Sequence, residues 1–191
     1  MRSSHSTLVR GSLSCGAVLA TLGFTVPSAS AAAPVAKAQC PSIDVALTAT
    51  NADAIRGGVL CLTNAERRLH DLTPLRENPK LRKAALGHSS DMVRRSYFSH
   101  TAPSGTTFVD RIVRAGYTER NDGWSLGENL AWGTGDLGTA RGVHEAWMRS
   151  SGHRANILKA AYRELGIGIQ PGVPKDGNVG ATFTTDFGVK L

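Results

Sequence analysis

The chain has 191 residues, 41% hydrophobic and 19% charged, which is enough apolar material for one packed domain plus an N-terminal extra and excludes wholesale disorder. Its formal charge is +7, but the basic residues are scattered singly, with no long Lys/Arg run. The balance therefore reads as a soluble basic surface and not as a nucleic-acid footprint.

The first 31 residues read as a secretory leader. Arg2 and Arg10 precede an uncharged, mostly apolar stretch from Gly11 to Val26, and Ala29-Ser30-Ala31 offers small residues to a signal peptidase, with cleavage expected after Ala31. That stretch is short for a membrane span, and no later stretch is long and apolar enough to span either. Cleavage removes Arg2 and Arg10, leaving 20 Lys and Arg against 15 Asp and Glu, a mature charge of about +5. It also leaves two of three cysteines, Cys40 and Cys61. An even pair in an exported chain reads as a disulfide, the alternative being two buried free thiols.

Residues 32–52 form an Ala/Pro linker followed by an ambiguous segment. From Asp53 to Asp71 the spacing of Ile55, Val59, Leu62 and Leu69 predicts a helix, with Asn64, Glu66, Arg67 and Arg68 on its other faces. Thr73-Pro74 breaks it. Asn78-Pro79 opens a second helix as cap and first-turn proline, with Leu81, Ala85, His88 and Met92 on one face, which makes His88 a core histidine rather than a ligand.

Tyr97 to Ser104 is a loop carrying His100. Thr106 or Thr107 caps a third helix lined by Phe108, Ile112 and Ala115 and ended by Gly116; Asp110 and Arg111 lie off its stripe, as a surface pair or a cap. Leu126 to Trp132, strand- or loop-like, carries Glu128. The glycines at 133, 135 and 138 lack the Lys-Ser/Thr ending of a phosphate loop.

Leu137 to Ser150 predicts a fourth helix with Leu137, Ala140, His144 and Trp147 inward, followed by a tight turn at Gly152 that presents His153 on loop backbone. Leu165 to Ile169 and Ala181 to Phe187 alternate as two strands around a Pro/Gly-rich turn. Helices first and a hairpin afterwards give the class α+β, with helices on an antiparallel sheet.

His100, Glu128 and His153 are the residues expected to form one site. Two imidazoles and a carboxylate make an open metal centre for a divalent ion such as Zn²⁺, with a position left for water or substrate. A metal-free alternative is a hydrogen-bonded polar cluster. Ser99, Ser125, Ser150 and Ser151 are candidate nucleophiles beside the histidines, but no Gly-x-Ser-x-Gly elbow exists. His144-Glu145 begins like the zinc-protease helix, yet Met148 stands where its second histidine is required.

The ordered set Asn64…Arg67, Leu81…Ala85…His88-Ser89…Asp91-Met92, Tyr97-Phe98-Ser99-His100, Asp110-Arg111…Ala115-Gly116-Tyr117, Gly127-Glu128-Asn129, Trp147-Met148…Ser150…Gly152-His153-Arg154-Ala155-Asn156-Ile157-Leu158 and Gly166-Ile167-Gly168 resembles the CAP superfamily. That superfamily comprises the cysteine-rich secretory, antigen 5 and pathogenesis-related 1 proteins, and the bacterial secreted, SCP-like branch is the closest. The resemblance places the domain at 53–191 and implies a three-layer α-β-α sandwich with a central cleft.

In the family the cleft is lined by two histidines and two acids, and some members hold a divalent metal there. By motif match His100, Glu128 and His153 are three of these four. The position of the second acid is Ser150, about 60° around the helix from Trp147, whereas Glu145 lies about 160° away and reads as solvated surface ahead of ligand. Asn129 and Asn156 are expected to brace loops through backbone hydrogen bonds.

Three functions follow. The first is an exported monomeric domain whose cleft takes a divalent metal and an extracellular or cell-surface ligand. The second is a hydrolase of peptide or cell-wall substrates using His100, Glu128 and His153. The third is a lipid- or sterol-binding module, for which the sequence offers no evident apolar surface.

Overall fold

The computed structural model describes residues 39–175 and 179–191; the leader assigned to residues 1–31 lies outside them. In chain order the elements are α1 (Ala52–Leu69), β1 (Arg76–Glu77), α2 (Pro79–Arg94), α3 (Phe108–Arg114), β2 (Trp124–Gly133), a 3-10 turn (Gly135–Gly138), α4 (Ala140–Arg149), α5 (Ser151–Ile157), β3 (Glu164–Pro171) and β4 (Ala181–Lys190).

The strands form one sheet in the order β1-β3-β4-β2. β4 is antiparallel to both β2 and β3, whereas β1 runs parallel to β3 through Arg76 and Glu77. The sheet is therefore mixed and not purely antiparallel as expected. β1 is too short to carry a periodic signal, and its partner β3 follows only after α2, α3, β2, α4 and α5.

Strand alternation divides the two faces. Leu165, Ile167, Ile169, Phe183 and Phe187 join Ile55, Val59, Leu62 and Trp147 in the larger core under α1 and α4. On the other face Leu126 packs with Leu81, Ala84, Ile112 and Tyr117 of α2, α3 and the turn after α3. Helices thus cover both faces of the sheet, and the α-β-α sandwich is the observed architecture.

Local chemistry sets the helix ends. Asn78 accepts from the backbone N–H of Lys80 and Leu81, with Pro79 in the first turn. Thr107 and Asp110 form a capping box at α3. Thr139 caps α4 by accepting from Gly142 N–H at 3.0 Å, so this helix starts after Leu137, which lies exposed and not inward. The break between α4 and α5 falls at Ser150, in extended backbone, and not at Gly152. His153 consequently rides on a helix and not on the loop the sequence predicts.

Packing also extends N-terminally of residue 53. Cys40 and Ile43 are buried in the larger core, Asp44 pairs with Arg141, and Cys40 is joined to Cys61 as the sequence predicts. The bridge closes a sequence separation of 21 residues. In the chain-entropy account a loop of that size stabilises by about 3 kcal/mol. Urea unfolding of Cys40→Ser/Cys61→Ser against the oxidised chain should show a loss of this order; a loss below about 1 kcal/mol would mean that packing alone holds the segment.

Candidate functional site

Glu128 sits near the middle of β2, opposite Asp186 of β4, with its side chain buried. Its two oxygens are held separately. Oε1 lies 2.8 Å from His100 Nδ1, and Oε2 accepts from Arg111 Nη2 at 2.6 Å. The Nδ1–H tautomer of His100 satisfies this geometry, which leaves Nε2 with its lone pair on a ring whose side chain is 52% exposed. Arg111 also donates to the carbonyls of Thr106 and His100. One guanidinium therefore fixes both the carboxylate and the backbone of its histidine partner. The sequence predicts Arg111 on the helix surface or in a cap; the structure makes it part of the site.

The loop carrying His100 is braced from below. His88, buried on α2, donates from Nε2 to the Ser99 carbonyl at 2.9 Å, and Tyr97 donates to Asp91 at 2.7 Å. This fits a core histidine. Burial, the largest effect, lowers the His88 pKa; the Glu128 charge opposes it and Arg111 reinforces it.

The unfolded chain therefore takes up this proton at a higher pH than the folded one. Stability should fall as pH drops below about 6.5 and through the lowered folded value. Imidazole NMR titration should place His88 below the ordinary value, with unfolding free energy rising with pH across that window. An unshifted His88 resonance would contradict it.

His153 is placed by its own bracing. Asn129, wholly buried, donates to the His153 carbonyl at 3.1 Å. Asn156 donates to Asn129 Oδ1 at 2.8 Å and to the Glu128 carbonyl at 3.2 Å. Both asparagines thus bond backbone as expected, and they fasten α5 to β2. The glycine of Gly127-Glu128-Asn129 has a packing reason: a Cβ there would lie 2.4 Å from Tyr162 Oη and 2.8 Å from Asn156 Oδ1. His153 is shifted toward its neutral form, first by burial and then by the nearness of His100.

The predicted trio is therefore partly assembled. His100 and Glu128 are in direct contact, and His153 is near enough to His100 for their charges to oppose. Among the described residues, however, no group of three or more His, Cys, Asp or Glu side chains converges as a ligand set. Glu145 pairs with Arg149 at 3.8 Å on an exposed face, in keeping with a solvated surface residue. Among the described residues no hydrogen bond joins a candidate serine side chain to His100 or His153: Ser99 accepts from Thr101 N–H, and Ser125 accepts from Lys159.

Asp186 is the site residue that no sequence motif marks. It is fully buried, and neither oxygen has a donor among the described residues. Burial first, and then the Glu128 charge, push its carboxyl well above the usual carboxylate range, so the protonated acid is the form that suits a place beside Glu128. The alternation around Phe183 and Phe187 puts Asp186 on the opposite face of β4, but only the β2–β4 register reveals its partner.

Comparisons with known proteins agree with this architecture. The uncharacterized protein YkwD of Bacillus subtilis (strain 168) is 37% identical over 110 residues, 58% of this chain and 40% of that protein. The uncharacterized membrane protein YlbC of the same organism is 35% identical over 111 residues, 58% of this chain and 30% of that one. The chain thus spans less than half the length of the curated relatives it matches.

Among solved structures, an extracellular protein containing an SCP domain from Bacillus anthracis str. Ames matches with a TM-score of 0.54 and 30% identity, over 75% of this chain and 44% of that one. An outer surface protein from Borrelia burgdorferi shares the fold, with a TM-score of 0.62 at 18% identity, over 77% of this chain and all of that one. No helix among the described residues is long and apolar enough to cross a membrane. With the sandwich, the paired His100 and Glu128, and a match of residues 60–185 to the family model "CAP: Cysteine-rich secretory protein family", this chain belongs to that family.

Proposed function

We propose that this chain is an exported CAP domain whose cleft binds a divalent cation through the two imidazoles of His100 and His153, and through it an extracellular ligand. The observation that carries the reading is the 2.8 Å contact between His100 Nδ1 and Glu128. A ligating histidine commonly gives its second ring N–H to a carboxylate, which fixes the tautomer and aims the other nitrogen. Glu128 has both oxygens engaged, so it suits the orienting role better than the ligand role the sequence suggests. Such a cation would supply Lewis acidity, with open positions filled by water or ligand. Export is supported by the leader-like first 31 residues, by the disulfide, and by the extracellular description of the Bacillus anthracis relative.

The orienting role makes a graded prediction. Calorimetric titration of Zn²⁺ near neutral pH should find one site in the mature chain and none in a folded His100→Ala/His153→Ala variant. Glu128→Gln should weaken binding by roughly 10- to 100-fold, the usual effect of losing an outer-shell partner, and not abolish it. Absence of binding by the unaltered chain sinks the metal reading.

A second reading rests on the same contact. A histidine held by a buried carboxylate is a general base, and His100 could activate water for hydrolysis of a peptide or cell-wall bond. Turnover lost in a folded His100→Ala variant, in the presence of chelator, would favour it over the metal-binding domain.

A further inference from the structure

A cavity of about 450 Å³ that shares Arg111 with the His-Glu site lies between α2, α3 and the loop of Ala102 to Thr106. Its volume is in the range of small-molecule sites. On α2 its walls come from positions 83, 84, 87, 88, 91, 94 and 95, a single helical stripe. Its charge is one-sided. Lys83, Arg94, Arg95, Arg111 and Arg114 face a single carboxylate, Asp91, five positive charges against one negative.

Arg94 and Arg95 are engaged by Asp91, and Arg111 by Glu128. Lys83 and Arg114 have no hydrogen-bond or ion-pair partner among the described residues. They are the two wall cations left for a ligand.

The rest of the wall combines small apolar positions, Ala84, Gly87, Ala102 and Ala115, with the polar His88, Ser104 and Thr106. Gly87 stands apart from the glycines that packing explains. A Cβ built on it meets nothing within 4 Å, and its backbone is ordinary helix. The same is true of the helical Gly57 and Gly152, so what Gly87 contributes is room: a larger side chain at this position can enter the cavity.

We propose that this cavity is a binding site for a small organic anion, a carboxylate or phosphate carried on a compact apolar body. Lys83 and Arg114 hold the acidic group, and Ala84, Gly87, Ala102 and Ala115 receive the body. An unpaired ammonium and guanidinium recognise such oxyanions directly. The small apolar positions give the body a surface that a bare, strongly hydrated anion does not use.

The test is calorimetric titration of 2-naphthyl phosphate into the full chain at low salt, beside inorganic phosphate and 2-naphthol. Single-site binding of the naphthyl phosphate is expected. It should weaken at least tenfold in Gly87→Leu, which fills the cavity, and in Lys83→Gln/Arg114→Gln, which removes the charge. It should change by less than twofold in His100→Ala/His153→Ala, so that the cavity and the metal cleft fail or succeed separately. Circular dichroism establishes that each variant is folded.

Phosphatidylglycerol vesicles separate two sources of the anion. Co-sedimentation lost in the same variants assigns it to a lipid head group, its absence to a free solute, and either result accompanies an intact site. No binding of naphthyl phosphate overturns the proposal. So does equal affinity for inorganic phosphate or for 2-naphthol, or unchanged binding by a folded Gly87→Leu.

Discussion

Replacement of Arg67 by alanine should cost on the order of 3–5 kcal/mol, as expected when a buried donor is removed and several buried carbonyls lose their partner. The side chain is wholly buried, and it donates to four backbone carbonyls: Thr73 at 2.9 Å from Nε, Ile157 at 2.8 Å and Lys159 at 3.0 Å from Nη1, and Tyr162 at 3.3 Å from Nη2. A hydrogen bond from a charged donor contributes about 1.5–3 kcal/mol, and the orphaned carbonyls would add their own desolvation cost. Ile157 ends α5, so this one guanidinium ties α1 to the far end of the helix that carries His153.

Arg67→Lys keeps the charge but loses the planar fork, and it should recover only part of the loss. Its cleft should also bind Zn²⁺ more weakly than the parent does, because α5 is less firmly seated. Urea unfolding and calorimetry measure the two effects. A cost below about 1 kcal/mol for Arg67→Ala would mean that water or a shifted loop replaces the guanidinium.

Arg67 also marks the limit of reading this fold from its sequence. The spacing of Ile55, Val59 and Leu62 locates α1, but the buried surface extends to Thr63, Ala65 and Arg67. Periodicity has no means of marking an arginine as buried, because three of its four carbonyl partners lie 90, 92 and 95 residues away. The same limit hides Arg111, whose partner Glu128 belongs to another element, and Asp186, whose partner is set by strand register.

What local chemistry determines is legible. The Asn78-Pro79 start of α2, the stripe of Leu81, Ala85, His88 and Met92, and the alternation of β3 and β4 all appear where the sequence puts them. Motif order carries the pairing of His100 with Glu128 into one neighbourhood, although those two lie 28 residues apart. Local signals fail where two of them compete. Gly152 looks like a turn, yet it has open space and helical neighbours, and the chain bends at Ser150 instead.

Gly166 and Gly168 should prove nearly as costly to change as Arg67. The run Leu165-Gly166-Ile167-Gly168-Ile169 alternates so that its leucine and isoleucines enter the larger core while its glycines face α2. A Cβ on Gly166 would lie 2.1 Å from the Leu81 carbonyl carbon, and one on Gly168 would lie 2.2 Å from Leu86 N. These obstacles are helix backbone, which has no rotamer to adopt, so the whole of α2 must lift from the sheet.

Overpacking typically costs about 1–3 kcal/mol per site, and the two sites push the same helix in the same direction. Gly166→Ala/Gly168→Ala should therefore lose about 4 kcal/mol in urea unfolding, near the middle of the summed range. The effect reaches the cleft, because α2 carries His88, whose ring holds the Ser99 carbonyl and with it the loop of His100. Lifting α2 also strains the contact of Ser89 with Thr184, at 2.8 Å. The folded fraction of this variant should show weakened Zn²⁺ binding along with reduced stability. A double variant within about 1 kcal/mol of the parent would mean that α2 slides on the sheet without cost, and that close contact on glycine is not what seats it.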